Sequence, residues 1–304
     1  MYRHTRHVSL GKILYFPRFF FRSTPRPAFV ALLASDKLSL FVERGLRVSS
    51  ELSKYMDFAV EAAWKAGRLT LAHFQTGVRT EYKEDETEVT IADKEAESLL
   101  RREIGAKYPT HDVIGEEYED KKSGASQRWI LDPIDGTQAF ARGVPLYATL
   151  VALEIDGEVK TGAAYFPALD EMVYAAEGMG CFWNGRRSRV SEISSLDRAI
   201  ACFTQTANFE RGNRSEEWEK IQKTVLACRG WSDAYGHALV ATGRAEIMLD
   251  PLMNPWDSAP FLPILREAGG YFGDWSGNET IYAGEAISSN SALLPDFLRL
   301  IESP

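Results

Sequence analysis

The stretch Trp129-Ile130-Leu131-Asp132-Pro133-Ile134-Asp135-Gly136-Thr137 ends an apolar run with two carboxylates three residues apart, and Pro133 and Gly136 shape the turn between and after them. Such a turn aims hard oxygen ligands at one point. Mg²⁺ asks for that, since it takes carboxylates, backbone carbonyls and retained waters and commonly serves a phosphate substrate. The competing reading is structural, an Asp-Pro turn followed by Asp-Gly, both ordinary loop punctuation. Two more acidic sites weigh against it. Gly115-Glu116-Glu117 follows the apolar pair Val113-Ile114, again at a strand end, and Asp257 stands at a helix start in Pro255-Trp256-Asp257. Taken singly, Asp257 reads as an N-cap and Thr90-Ile91-Ala92-Asp93 as a capping box. It is the set that calls for a metal.

These groups need a scaffold. Met56, Val60, Ala63, Trp64, Gly67, Leu71 and Phe74 recur at helical spacing and predict an amphipathic helix ending before Thr76-Gly77. The capping box opens a second helix, with Ala96, Leu99, Leu100 and Ile104 on one face and Pro109 as its stop. Trp129 to Leu131 predicts a buried strand. The runs 147–155 and 158–166, joined by Asp156-Gly157, predict a hairpin, and a third strand follows at 171–176. Beyond that the pattern alternates: strand 199–204, helix 215–227, helix 234–243, strand 246–250, helix 257–268 capped by Gly269-Gly270, and strand 271–275. Hairpins first and alternation later predict two sublobes, about 56–195 and 196–304, α+β followed by α/β.

Composition narrows the function. The chain has 304 residues, 45% hydrophobic, 12% aromatic and 26% charged, enough for a large core in two domains or one two-lobed unit. A net charge of −8 argues against a nucleic-acid partner. No run of about 18 apolar residues exists, so no membrane-spanning helix is expected. Cys181, Cys202 and Cys228 are odd in number and scattered, which reads as reduced thiols. Residues 1–35 differ from the rest, with six basic side chains and no acidic one, leaving −14 on residues 36–304. An organelle transit peptide has that composition. The reading preferred here is an upstream extension or a mis-called start, which sets residues 1–50 outside the fold, assigns residues 51–304 to the domain, and has the core pattern open near Met56 in a cytoplasmic protein.

The order Lys83, Thr90-x-x-Asp93, Gly115-Glu116-Glu117, Asp132-Pro-Ile-Asp135-Gly-Thr137, Trp256-Asp257 and Glu267-Ala-Gly-Gly270 resembles the inositol monophosphatase superfamily of Mg²⁺-dependent, lithium-sensitive phosphomonoesterases, over about residues 56–302. The resemblance implies a layered αβαβα sandwich, a homodimer, a small phosphate monoester as substrate and two or three Mg²⁺ ions. It implies that Glu116, Asp132, Asp135 and Asp257 ligate metal through side chains and Ile134 through its carbonyl. Gly136 and Thr137 would meet the phosphate, and Asp93 would bond Thr137 to position or deprotonate the attacking water; Glu116, Thr137 and Asp93 form the implied catalytic set. Clustered Mg²⁺ suits in-line attack by water. The Asp-x-Asp-x-Thr signature of phosphatases that form an aspartyl phosphate is absent. A non-catalytic relative is a poorer reading, because all four carboxylates and Thr137 are kept. Two departures stand out. Pro263 should cost the helix after Asp257 a hydrogen bond and bend it, and the acidic stretch Lys83 to Glu88 is read as a loop over the metals with Glu84, Glu86 and Glu88 solvated.

The leaving group must be read elsewhere. Ser232-Asp233-Ala234-Tyr235-Gly236, Val240-Ala-Thr-Gly-Arg244-Ala-Glu246 and Asp250-Pro-x-x-Asn-Pro-Trp256-Asp257 look like the branch that hydrolyses L-histidinol phosphate, the alternative being an inositol or broad polyol phosphatase. An ester carrying an amine and an imidazole calls for carboxylates beyond the metal set. Asp233 and Asp250 fit that need; as structure, they would cap a helix and end a strand. His237 reads as a packed or exposed helix residue rather than a metal ligand. Arg186, Arg187 and Arg189 read as a solvated turn.

Overall fold

The computed structural model describes residues 39–83, 88–231 and 233–302, with residues 39–50 as helical backbone alone. The basic leader and the acidic residues 84–87 lie outside the described part.

Helix α1 (Ser39–Thr70) is followed by the small hairpin β1 (Thr80–Tyr82) and β2 (Glu88–Thr90), then α2 (Ile91–Lys107). Next come β3 (Asp112–Gly115), β4 (Gln127–Asp135), α3 (Thr137–Ala141), β5 (Ala148–Ile155), β6 (Glu158–Phe166), β7 (Glu171–Ala176), β8 (Gly180–Trp183) and β9 (Arg186–Ser188). Strands β3 to β9 form a seven-stranded sheet in chain order, parallel at β3–β4 and antiparallel elsewhere. The rest of the chain supplies β10 (Ile200–Phe203), α4 (Ala207–Arg211), α5 (Ser215–Thr224), β11 (Ala227–Arg229), α6 (Asp233–Ala241) and β12 (Ile247–Asp250). It ends with α7 (Pro255–Ser258), α8 (Phe261–Ala268), β13 (Gly270–Gly273), β14 (Ala286–Asn290) and α9 (Leu294–Glu302). The second sheet runs β11-β10-β12-β14-β13 and is mixed.

Period-two alternation builds the layers. Trp129, Leu131, Val151, Leu153, Ala163 and Tyr165 turn to α1 and α2, while Ile130, Leu150, Ala152, Ala164 and Phe166 turn to the opposite face, where α6 and α8 pack. In the second sheet Met248 and Phe272 face that same middle layer, and Ile247, Leu249 and Ile287 face α5 and α9. The result is the αβαβα sandwich expected. With both faces covered, the central strands read as almost unbroken apolar runs.

Some boundaries differ from expectation. Leu52 and Tyr55 are buried in the α1 core, so the packed domain opens before Met56, and Trp64, expected inside, is half exposed. The regular helix stops at Thr70, and Phe74 instead packs on Phe140 and Tyr147 beside α3. Helix α5 ends at Thr224 because the Leu226 N–H is taken by the Ala199 carbonyl, which draws the next residues into β11. The helix expected at 257–268 is two, α7 and α8, parted at Ala259-Pro260. Pro263 therefore falls in the first turn of α8, where its missing N–H costs nothing. Glu88 is buried and held in a two-pronged ion pair by Arg142 rather than solvated.

Candidate active site

A strand that alternates faces would send residues three apart to opposite sides. The register of β4 against β5 shifts between Asp132 and Asp135: Asp132 lies opposite Leu150, and Asp135 lies opposite Ala148. Three steps on β4 match two on β5, so both carboxylates emerge on the face shared by Leu150 and Ala148, toward the middle layer. Pro133, which has no N–H to give, sits in this bulge, and its carbonyl accepts the Thr149 hydroxyl at 2.8 Å.

Helix α7 brings the third carboxylate. Asp257 lies in its first turn, where it accepts the Asn254 N–H through Oδ2 at 2.8 Å; Asn254 is the N-cap and Asp257 the third residue of a capping box, not the N-cap read from sequence. One oxygen each of Asp132, Asp135 and Asp257 lies within 4.8 Å of the others. Burial, then the charges of Glu116 and Asp135, push Asp132 well above the usual carboxylate range. Burial and the nearby Asp233 and Asp257 do the same to Asp135, although the Ala234 N–H donates to its Oδ2 at 2.8 Å. Burial pushes Asp257 up to about 6. Three crowded carboxylates at neutral pH need a proton or a cation between them. Among the described residues Asp132 Oδ1 is buried with no hydrogen-bond partner, which suits a metal-ligating atom. An all-oxygen donor set of this kind fits a hard divalent cation.

Glu116 stands beside this group rather than in it. Lys83 Nζ donates to Glu116 at 2.8 Å and to Glu117 at 2.7 Å. Burial raises the Glu116 pKa against the pull of Lys83, and burial pushes Glu117 up to about 7. The turn carrying both is set from behind by Glu97, a residue that sequence reasoning passed over. Fully buried on α2, Glu97 accepts the Glu117 N–H at 2.7 Å and pairs with Arg101 at 2.7 Å. Gly115 is required there, because a Cβ would fall 2.2 Å from Glu97 Oε1. The available signal was spacing: Asp93, Glu97 and Arg101 follow at i, i+4 and i+8 on one face of α2.

The Thr137 hydroxyl lies 3.1 Å from Asp93 Oδ1 and 3.0 Å from the Ile134 carbonyl. The other Asp93 oxygen accepts both the N–H and the hydroxyl of Thr90, at 2.8 and 2.6 Å. The capping box is present, then, and the same carboxylate reaches Thr137. Burial raises the Asp93 pKa in spite of these bonds. Gly136 makes the turn from β4 into α3 with φ +79°, a left-handed backbone that glycine adopts without strain.

Asp233 and Asp250 sit at the edge of the carboxylate group. A Cβ on Gly136 would lie 3.0 Å from Asp233 Oδ2, which puts that carboxylate against the turn. Asp233 itself holds a left-handed φ of +52° at the start of α6. Asp250 ends β12, is nearly buried, and accepts the Thr204 hydroxyl at 2.9 Å. His237 is packed and fully buried. Arg186 and Arg187 are exposed on β9, with Arg187 over the Phe182 ring. All three cysteines are free thiols. Among the described residues no helix is long and apolar enough to cross a membrane.

Known proteins match this chain over most of its length. The model of the inositol monophosphatase family matches residues 51–303. A histidinol-phosphatase of Chlorobaculum parvum is 42% identical over 240 residues, covering 78% of this chain and 93% of the relative. An inositol-1-monophosphatase of Rhizobium meliloti is 33% identical over 260 residues, covering 83% and 97%. The solved structure of a Thermotoga maritima IMPase superposes with a TM-score of 0.75 at 33% identity, over 82% of this chain and 96% of that one. With a family match spanning the folded chain and relatives named for phosphatase activity, the protein belongs to the inositol monophosphatase family and is a metal-dependent phosphoric monoester hydrolase.

Proposed function

We propose that the enzyme hydrolyses L-histidinol phosphate to L-histidinol and phosphate, with Mg²⁺ as its metal. The observation that carries the substrate is Asp233, an acid beyond the metal set, lying against the Gly136 turn. The similarity to histidinol-phosphatases supports the same reading. Asp132, Asp135 and Asp257 would hold Mg²⁺, with Glu116 and the Ile134 carbonyl completing two or three ion sites. Bound there, Mg²⁺ supplies positive charge that acidifies water and offsets charge on the phosphoryl oxygens. The backbone N–H groups at Gly136 and Thr137 receive the phosphate. The Thr137 hydroxyl, directed to Asp93, orients the attacking water and passes its proton toward that carboxylate. Asp233 and Asp250 face the amine and imidazole of the leaving alcohol, where charge-assisted bonds are strongest.

A phosphate-release panel of histidinol phosphate, inositol 1-phosphate and fructose 1,6-bisphosphate, with and without Mg²⁺, tests this. The highest kcat/KM falls on histidinol phosphate; a dominant value for either other ester overturns the substrate. The relatives named inositol-1-monophosphatase make inositol phosphate the second reading. The proposal also places the enzyme in the cytoplasm as a homodimer, for which light scattering should return twice the 34.1 kDa chain mass.

A further inference from the structure

Helix α6 buries an imidazole where the residues after it, Ala238, Leu239, Val240 and Ala241, are all apolar. The His237 ring is tilted against Phe261 at 5.0 Å and packs edgewise to Phe272 at 5.4 Å between centroids. A leucine would suit this aromatic box without the desolvation that an imidazole pays. The polar atoms of the ring must therefore have a task.

Nδ1 lies 2.7 Å from Ser288 Oγ on β14. Nε2 is buried with no hydrogen-bond partner among the described residues and faces Asp250 Oδ2 at 3.5 Å. The Nδ1–Ser288 contact is a hydrogen bond, whereas Nε2 and Asp250 meet only at ion-pair distance, so the ring is tied on one side and set against a carboxylate on the other. The other oxygen of Asp250 accepts from Thr204, whose oxygen in turn accepts the Asp233 N–H at 3.2 Å. A chain of polar contacts thus runs Ser288, His237, Asp250, Thr204, Asp233, hydrogen-bonded at every link except the 3.5 Å approach of His237 to Asp250. It crosses β14, α6, β12 and the end of β10, and returns to α6 one turn before His237. The two acids assigned to the substrate's cationic part are the last carboxylate of this chain and the residue at its end.

We infer that His237 is a positioning residue for substrate selection. Anchored by Ser288, it fixes Asp250 and, through Thr204, the left-handed Asp233, so that both carboxylates meet a cationic leaving group at one spacing. The inference rests on the cationic-ester reading above, and the test separates the two.

His237→Leu, His237→Gln and Asp250→Asn are compared for KM and kcat on histidinol phosphate and inositol 1-phosphate at saturating Mg²⁺, alongside thermal melts. In His237→Leu the KM for histidinol phosphate rises about ten-fold with kcat changed less than about two-fold, so the kcat/KM ratio between the esters falls about ten-fold. His237→Gln, whose amide can present an N–H to Asp250, recovers part of the ratio. An equal loss on both esters in His237→Leu overturns the inference. So does an unchanged ratio there when Asp250→Asn has lost it. An unchanged ratio in Asp250→Asn overturns the cationic-ester reading itself, and the inference with it. Should His237→Leu fail to fold, His237→Asn, whose amide stops short of Asp250, carries the same comparison against His237→Gln.

Discussion

The Thr137 hydroxyl and the Asp93 carboxylate, 44 residues apart in sequence, meet at 3.1 Å. Their contact joins the start of α2 to the start of α3, and it uses a carboxylate whose other oxygen is already spent on a helix cap. On the mechanism proposed above, one side chain then serves fold and chemistry at once. Asp93→Asn should keep a weakened cap, costing about 1 kcal/mol of stability, while lowering kcat by about 100-fold or more. Melting curves beside steady-state rates check this; loss of stability without loss of turnover would leave Asp93 a capping residue only.

Removing one charge from the carboxylate group gives a different signature. Asp135→Asn should abolish measurable turnover and weaken Mg²⁺ binding, because the amide is a poorer ligand for a hard cation. The apoprotein should be stabilised, since a repelling charge has gone. Titration calorimetry with Mg²⁺ and thermal melts in chelator measure the two effects. Unimpaired hydrolysis would refute the site.

The pH dependence of the metal-free protein has a defined sign. Asp257 and Glu117 are raised by burial to about 6 and about 7, so the folded state binds more protons than the unfolded state above the ordinary carboxylate pKa. Stability then falls as pH rises from about 4.5 through 7, and the loss is complete above the folded values. In chelator the melting temperature should drop across that window, and saturating Mg²⁺ should flatten the curve. A melting temperature that rises from pH 5 to pH 7 in chelator would contradict the raised values.

Truncation tests where the domain begins. A chain starting at Glu51 keeps Leu52 and Tyr55, whereas one starting at Met56 loses two buried side chains from the α1 core. At about 2–5 kcal/mol for each large buried side chain removed, the shorter chain should melt far lower or fail to fold. Equal melting temperatures would show that these two residues pack without consequence.

The carboxylates were legible because their spacing is local. Asp132, Asp135 and Asp257 each announce themselves beside a Pro, a Gly or a helix start, and the strands behind them are apolar runs. What was not legible depends on contacts made across the fold. Glu97 looks like any helix-surface acid until Gly115 is seen to lie against it. Strand β14, Ala286-Ile287-Ser288-Ser289-Asn290, is fully buried yet mostly polar, so no hydrophobic period marks it. The break between α7 and α8 was hidden because Pro263 reads as a flaw in one helix instead of part of the first turn of a second. For Trp64 the helical period was right, but the α1 face it lies on is only partly covered.

Asp132 and Asp135 belong to the seven-stranded sheet, whereas Asp257 arrives after most of the five-stranded sheet has been built. A cation held by all three would pin together points more than a hundred residues apart along the chain. In polymer terms it acts as a removable cross-link across a long loop. A covalent bridge over such a loop would restrict the unfolded chain by roughly 4–5 kcal/mol, an upper limit for a reversible tie. Metal loss should therefore loosen the seam between the two halves first, and hydrogen exchange in chelator should quicken at α7 and the start of α6 before it reaches the α1 core.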